Sequence, residues 1–585
     1  MTLLPYLSSL LFTAVIAVDM DEVLVSTALG RVRGLVVGTP QRVLNATSAK
    51  PACPQPIGPG HVLPEGAALS EDCLHLSLVQ PSTAQAGALP VVVWLHGGGF
   101  VEGSGDLLDF AEVCSSLASR GLVFVALNYR LGPFGFLNAP GAPANLALLD
   151  LAMAMDWIHQ NIAYFGGNAS QLTLAGHEAG AVLASLYSLS PSLRPGRASP
   201  SLLLMSGSLL APWALGDAAR QASAGMLEAC SGSIDCLRRL PWPQLLQTGQ
   251  SWQPWVDGAV IEGEPRLLLA NPALASAPLM AGINEAEGAD LVLSQLEAHY
   301  DEVLGKRVFL RDVVPSFCQL FLHTNATSVL DAVRYQYFSQ PSDNFFDHLD
   351  NAAQLYTDHL FRSPMLEEAV LRSRHASVRL YEFSQPSYLQ VGRRRRWAVS
   401  PAGASIGHLI GASSVWDGSR LSFQPRLAAN FQRLLTAFAA NASEALRPQP
   451  YLTWRPFSRE EANFLRLRQP LQLRSQNLSE IHAVTPDPLD FYCSDESAGG
   501  VQSQLVLWLL GTLAGLFLIL FLLTAAGCSI YHRTRGRRKE SLQGPNTRSY
   551  NQQAHIQIPV GLSPSPPRTP LHPFYPVFAT GSSQC

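Results

Sequence analysis

The sequence predicts an α/β fold built on a buried sheet. Short, continuous apolar runs alternate with stretches of helical period, and strands that alternate with helices favour α/β architecture. The runs are VVVWL at 91–95 and LVFVALNYR at 122–130, and further strand runs are SLLLMSG at 201–207, APLMAGIN at 277–284 and VRLYEFS at 378–384. Such runs suit strands covered on both faces, as in a parallel sheet. The helical period is clearest in LALLDLAMAMDWIHQNI from Leu146, which stops at Gly166 and Gly167. A third signal is SQLTLAGHEAG, where a strand passes through a tight glycine turn into a helix beginning AGAVLASLYSL.

Before these elements, LVSTALGRVRGLVV alternates like a hairpin around Gly30, and a Pro- and Gly-rich loop containing Cys53 runs from Lys50 to Gly66. HLSLVQP then leads by a short linker to the VVVWL strand. The chain has 585 residues, so one large α/β domain with appendages fits the length. With 47% hydrophobic and 14% charged residues it is no disordered chain. Lys+Arg 40 against Asp+Glu 44 gives a net charge of -4, which argues against a nucleic-acid binder, since that needs a basic face to neutralise phosphates. No metal-ligand spacing or cofactor motif stands out, so neither a cofactor nor a metal is expected.

Two apolar segments set the expected compartment. Residues 1–17 have the length and the small residues, Val15 and Ala17, of a cleaved signal peptide. Leu505 to Ile530 carries no charge and exceeds the roughly 20 residues that cross a bilayer core. Asp495 and Glu496 precede it, and Arg533, Arg535, Arg537, Arg538 and Lys539 follow. The positive-inside rule places that cluster in the cytoplasm. The expected order is an ectodomain over 23–494, a short stalk over 495–504, a span over 505–530 and a disordered cytoplasmic tail over 531–585. That makes a single-pass type I protein of the plasma membrane. Glycosylation sequons at Asn45, Asn168, Asn325, Asn441 and Asn477 all precede the span.

The chemistry gathers in three segments. His96-Gly97-Gly98-Gly99-Phe100 follows a buried strand, where glycines let backbone N–H groups face a developing oxyanion. Gly176-His177-Glu178-Ala179-Gly180 lies between strand and helix, the setting of a G-x-S-x-G nucleophile elbow. Its central residue is Glu178 where a nucleophile would be serine. Glu287 sits beyond a strand end in GINEAEG, and a lone His408 comes later. The order elbow, acid, His is that of α/β-hydrolases.

SEDCLHLSL, VVVWLHGGGF, ALNYRLGPFGFL, ANLALLDLAMAMDWIHQNIAYFGGN, LTLAGHEAGA and GINEAEG together resemble the type B carboxylesterase and cholinesterase family over about Val23 to Cys493. The resemblance implies an α/β-hydrolase fold with a mostly parallel central sheet. It also implies Cys53–Cys73 and Cys230–Cys236 bridges, leaving Cys114, Cys318 and Cys493 without an assigned partner. The oxyanion glycines of the family match Gly97 and Gly98, the following alanine matches Ala179, and the acid matches Glu287. The nucleophilic serine falls on Glu178 and its preceding glutamate on His177. His408 is the nearest match to the base, with its flanking pattern eroded and its spacing to Gly418 one residue longer. The segment usually read FLGIPYAxPPxGxxRF is missing.

These positions predict a degenerate site with no functional catalytic residue. Loss of the serine from such a triad lowers turnover on the order of 10⁶-fold. The pattern is similar to the noncatalytic adhesion branch of the family, with neuroligin-like architecture. The expectation is a cell-surface glycoprotein acting through an extracellular protein partner, which the sequence does not identify. The alternative is a membrane-anchored hydrolase using Glu178 as a carboxylate nucleophile. Smaller features are the Arg393–Arg396 run, read as a solvated basic loop or a convertase site, and Gly511-x-x-x-Gly515, a spacing that allows a homodimer. Cys528 lies at the cytosolic boundary, and PSPPRTP offers a Pro-rich segment to a cytosolic adaptor.

Overall fold

A computed structural model describes residues 50–475 except 59–60, 64–65, 82–86, 247–250, 297–308, 323–325, 343, 392–394, 411–422, 441–445 and 450–451. It also describes the backbone of four strands outside that range. Among the described residues no helix is long and apolar enough to cross a membrane, and the expected span at Leu505–Ile530 lies outside them.

The strands are β1 (Met20–Thr27), β2 (Gly30–Val37), β3 (Val43–Ala46), β4 (Leu76–Gln80), β5 (Leu89–Leu95) and β6 (Val123–Leu127). They continue with β7 (Gly167–His177), β8 (Ser201–Met205), β9 (Leu279–Asn284), β10 (Val378–Phe383), β11 (Ser387–Val391) and β12 (Arg395–Val399). The last are β13 (Leu446–Gln449), β14 (Leu452–Trp454), β15 (Asn463–Leu467), β16 (Gln472–Ser475) and β17 (Ala579–Gln584). The central sheet has the order β16-β15-β10-β9-β8-β7-β5-β6-β4-β17. Every pairing from β6 through β5, β7, β8, β9 and β10 to β15 is parallel. The pairings of β4 with β6 and of β15 with β16 are antiparallel. The exchange of β5 and β6 relative to chain order, inside a parallel run flanked by helices, is the α/β-hydrolase arrangement that the resemblance implies.

The apolar runs explain why this sheet is buried on both faces. Along β5, Val92 and Trp94 join a core with Phe124, Met205, Phe383 and Trp454. Their neighbours Val91, Val93 and Leu95 point the other way and are equally buried. The helix Pro425–Ala440 lays Leu427, Phe431, Leu434 and Phe438 on that core. Those positions repeat with the helical period of one face.

The helix Ala179–Leu189, which carries the elbow, is buried along its whole length. Its hydroxyls are met by a buried ion pair. Glu368 accepts from Ser185 Oγ at 2.6 Å and from Arg372 Nε at 2.9 Å, while Arg372 Nη2 donates to Ser185 Oγ at 2.8 Å. The other carboxylate oxygen accepts from Ser208 Oγ at 2.7 Å and Leu209 N at 2.9 Å. Both carboxylate oxygens of the pair are bonded, as a buried charge requires, while among the described residues the buried Arg372 Nη1 has no hydrogen-bond partner.

Both implied disulfides, Cys53–Cys73 and Cys230–Cys236, are present. Cys114 is also disulfide-bonded, to a partner outside the described residues, and Cys318 is a buried free thiol. The early hairpin forms as read, with Thr27 opposite Gly30. Arg395 and Arg396 depart from the expected loop: they belong to β12, which pairs with β11. The reason is Trp397, 3% exposed, whose indole N–H donates to Asp350 at 2.7 Å and pins the strand. Asn168 is half-buried, and Asn325, Asn441 and Asn477 lie outside the described residues. At the sheet edge, β17 runs parallel to β4 through four residue pairs with a register shift. A tail on the far side of a membrane could not reach that edge.

Candidate functional site

Sheet geometry brings the elbow and the glycine loop together. β5 and β7 are adjacent and parallel, with Leu95 opposite Gly176, so the loop after one strand faces the turn after the other. Glu178 sits at the apex with φ 51 and ψ -113, a conformation costly for a residue with a Cβ. Its backbone is clamped: its N–H donates to Met205 O at 2.8 Å, and its carbonyl accepts from Ala181 N at 3.0 Å. The flanking glycines are required by contact. A Cβ on Gly176 would lie 2.2 Å from Gly180 O, and one on Gly180 would lie 2.3 Å from Leu95 O.

The side chain of Glu178 turns into the loop. Its Oε2 accepts from Gly98 N at 2.7 Å and from Gly99 N at 3.3 Å. Of the glycines matched to the family's oxyanion loop, Gly98 donates here and Gly97 does not, and the amides of Gly98 and Gly99 meet a carboxylate belonging to the protein. Gly97 contributes by having no side chain, because a Cβ there would lie 2.9 Å from Glu178 Oε2 and 2.7 Å from His177 Nδ1. Ala179 is buried as the first residue of the elbow helix. The role of the Gly99 amide was not assigned from sequence, although the triple glycine holds the signal.

Behind the loop, His96 stacks on Tyr129 with centroids 4.3 Å apart, and the Tyr129 hydroxyl donates to His96 O at 2.7 Å. Burial lowers His96 to a pKa of about 4, so its ring is neutral. Burial raises the Tyr129 phenol well above its ordinary value, and the Glu178 charge adds to the effect. His177 is buried beside Glu178; burial lowers its pKa and the neighbouring charge opposes that.

Glu287 and His408 are held by other partners. Glu287 Oε1 accepts from Asn284 N at 2.7 Å, Asn284 Nδ2 at 3.0 Å and the Ser206 hydroxyl. Among the described residues its buried Oε2 has no hydrogen-bond partner. His408 lies in the helix Ala404–Ile410, between the rings of Phe383 and Phe423. Its Nδ1 meets Ala404 O at 3.1 Å, and its Nε2 accepts from Gln424 N at 3.2 Å. An amide N–H only donates, so these partners fit the neutral ring with its proton on Nδ1. The Nε2 lone pair that a general base needs is engaged by backbone. Ser405, in the helix that carries His408, donates its N–H to Asn284 Oδ1 at 3.0 Å. Among the described residues no group of three His, Cys, Asp or Glu side chains could hold a metal ion.

The carboxylesterase family model matches residues 39–483. The chain belongs to the carboxylesterase family. It is 35% identical to acetylcholinesterase of Danio rerio over 250 residues, covering 38% of this chain and 39% of that protein. It is 28% identical to neuroligin-2 of Homo sapiens over 427 residues, covering 64% of this chain and 50% of that protein. Against acetylcholinesterase of Bungarus fasciatus the identity is 31% over 378 residues, with 58% and 61% covered. The chain thus spans about two-fifths to three-fifths of the length of these relatives. The family match and the sheet order agree on an α/β-hydrolase fold, and the likenesses reach both cholinesterases and neuroligins.

Glu287 gives the site a pH signature. Burial raises its carboxyl to a pKa of about 7; the Ser206 and Asn284 hydrogen bonds oppose the rise, and the Glu178 charge adds to it. The folded state therefore holds the proton more tightly than the unfolded chain between about pH 4.5 and 7. Stability contributed by the neutral acid is lost as pH rises through that window. Glu287→Gln removes the titration. Denaturant melts should show the variant gaining on the unmodified protein by about 3 kcal/mol between pH 4.5 and 7.5. A stability difference that stays constant across that range would refute the assignment.

Proposed function

We propose that this chain is a catalytically inactive, cholinesterase-like type I membrane glycoprotein that acts by binding an extracellular protein, as in cell adhesion. The carrying observation is the Glu178 carboxylate on the Gly98 and Gly99 amides. Acyl transfer needs a nucleophile beside an empty cradle, into which the carbonyl oxygen moves as it gains charge. Here the nucleophile position is a carboxylate, and that carboxylate fills the cradle. The engaged Nε2 of His408 supports the same reading. So does the likeness to a protein named neuroligin-2 over most of the chain.

Glu178 as a nucleophile is the weaker reading. Attack requires a carboxylate lone pair aimed at substrate, yet two N–H groups hold Oε2. The same two donors would then be missing from the transition state, and one such donor is worth about 2.7–4 kcal/mol.

Membrane anchoring rests on the uncharged run Leu505–Ile530 and the basic cluster after it. Burying so many apolar side chains is worth tens of kcal/mol at roughly 1.5–3 kcal/mol each. The pairing of β17 with β4 joins four residue pairs, and a hydrogen bond contributes about 0.5–1.5 kcal/mol net. The two placements exclude each other, and the magnitudes favour the membrane. Dimerisation through the span and an adaptor on the Pro-rich tail belong to this proposal as secondary features.

Activity tests the central part. The purified ectodomain should leave aryl and choline esters at background and take no label from an organophosphonate at Glu178. Glu178→Ser empties the cradle but leaves His408 engaged. Its rate should reach at most the roughly 10³–10⁴-fold over water that an oxyanion site and binding supply alone, with no further loss in a His408→Ala double variant. Robust turnover by the serine variant that disappears without His408 would refute inactivity through a displaced base.

Topology has a covalent readout. Cys114 is disulfide-bonded, and beyond the described residues the sequence carries Cys493, Cys528 and Cys585. Only Cys493 is on the outer side in the proposed topology, and disulfides persist there. Peptide mapping of the non-reduced cell-surface protein should yield a Cys114–Cys493 bridge. A bridge to Cys585 would place the C-terminus outside and overturn the single span.

A further inference from the structure

The cradle that the family uses for a transient charge is permanently loaded in this chain. Three features of Glu178 bear on why. It adopts φ 51, which a residue with a side chain reaches only under constraint. Its carboxylate satisfies two loop amides, at 2.7 and 3.3 Å. Its position is half-buried and that of Gly99 is exposed, so the amides would be open to a small solute if the side chain were absent. The packing also leaves room for a carboxylate and little else, since a Cβ on Gly97 would approach Oε2 to 2.9 Å.

We infer that Glu178 is a tethered ligand of a monocarboxylate site formed by the Gly98 and Gly99 amides, and that it holds the glycine loop against the elbow. Removing the side chain converts an intramolecular contact into a vacant site for a small carboxylate such as acetate or formate. Binding involves no bond making or breaking. The free anion accepts the same two N–H groups that Glu178 accepts, as convergent backbone amides commonly do for anions. The tether explains why the chain keeps a glycine loop that performs no turnover. It holds whether or not the extracellular surface binds a protein, since it concerns only the loop and the elbow.

Chemical rescue tests it. Glu178→Ala should melt lower than the unmodified ectodomain by several degrees, as expected for about two lost charge-assisted hydrogen bonds in a large domain. Sodium acetate up to about 0.2 M at pH 7.5, with ionic strength matched by chloride, should restore the melting temperature along a saturating curve. Unmodified protein and Glu178→Gln, whose side chains still occupy the cradle, should show no acetate-specific shift. Hydrogen exchange of the Gly97–Phe100 segment should be faster in the alanine variant and slow again with acetate. A stable alanine variant that acetate neither stabilises nor protects overturns the inference. So does an equal acetate effect in all three proteins. If the alanine variant does not fold, Glu178→Gly supplies the vacant cradle without the φ penalty, and absence of rescue in it has the same meaning.

Discussion

The carboxylate of Glu178 on the amides of Gly98 and Gly99 ties together the parts that give this domain its character. The apex residue is held at positive φ, which costs on the order of 1–3 kcal/mol. Hydrogen bonds to a charged acceptor contribute about 1.5–3 kcal/mol each, enough to offset that strain. The geometry is over-determined: Gly176 and Gly180 admit the close crossing of β5, β7 and the elbow helix, and Gly97 admits the carboxylate. The elbow turn is held here by a contact between the chain's own carboxylate and its glycine loop.

The rest of the site has settled around that charge. Glu287 feels it and titrates near neutrality in its buried niche. Tyr129 and His177 feel it across the glycine loop. His408 is directed to backbone partners within and beyond its helix and packs between aromatic rings. Glu178, Glu287 and His408 each have hydrogen-bond partners within the fold. Beneath them the Glu368–Arg372 pair fixes the elbow helix through Ser185 and Ser188.

Much of this was legible in the sequence. The runs at β5, β6 and β8 are almost wholly apolar because both faces of those strands are covered, and such runs announce themselves. The elbow was legible because its glycines are fixed by contacts that no other residue permits. β15 and β16 were not read: each is short and mixes apolar residues with Arg466 or Arg474, and β16 forms the sheet's edge. The network of Ser185, Glu368 and Arg372 joins positions more than 180 residues apart, and no local pattern marks them. The identity of Glu178 was plain, but its direction was not. Whether the carboxylate would face solvent, His408 or the amides depends on the space left by Gly97, which only the assembled loop defines.

The chemistry of the site depends on where that carboxylate points. A crystal structure of the glycosylated ectodomain at a resolution that separates the two carboxylate oxygens would measure it. The expected result is Glu178 Oε2 within hydrogen-bond distance of Gly98 N, with the glycine loop closed on it. A carboxylate swung toward His408 or solvent, over a cradle open to water, would contradict the central claim.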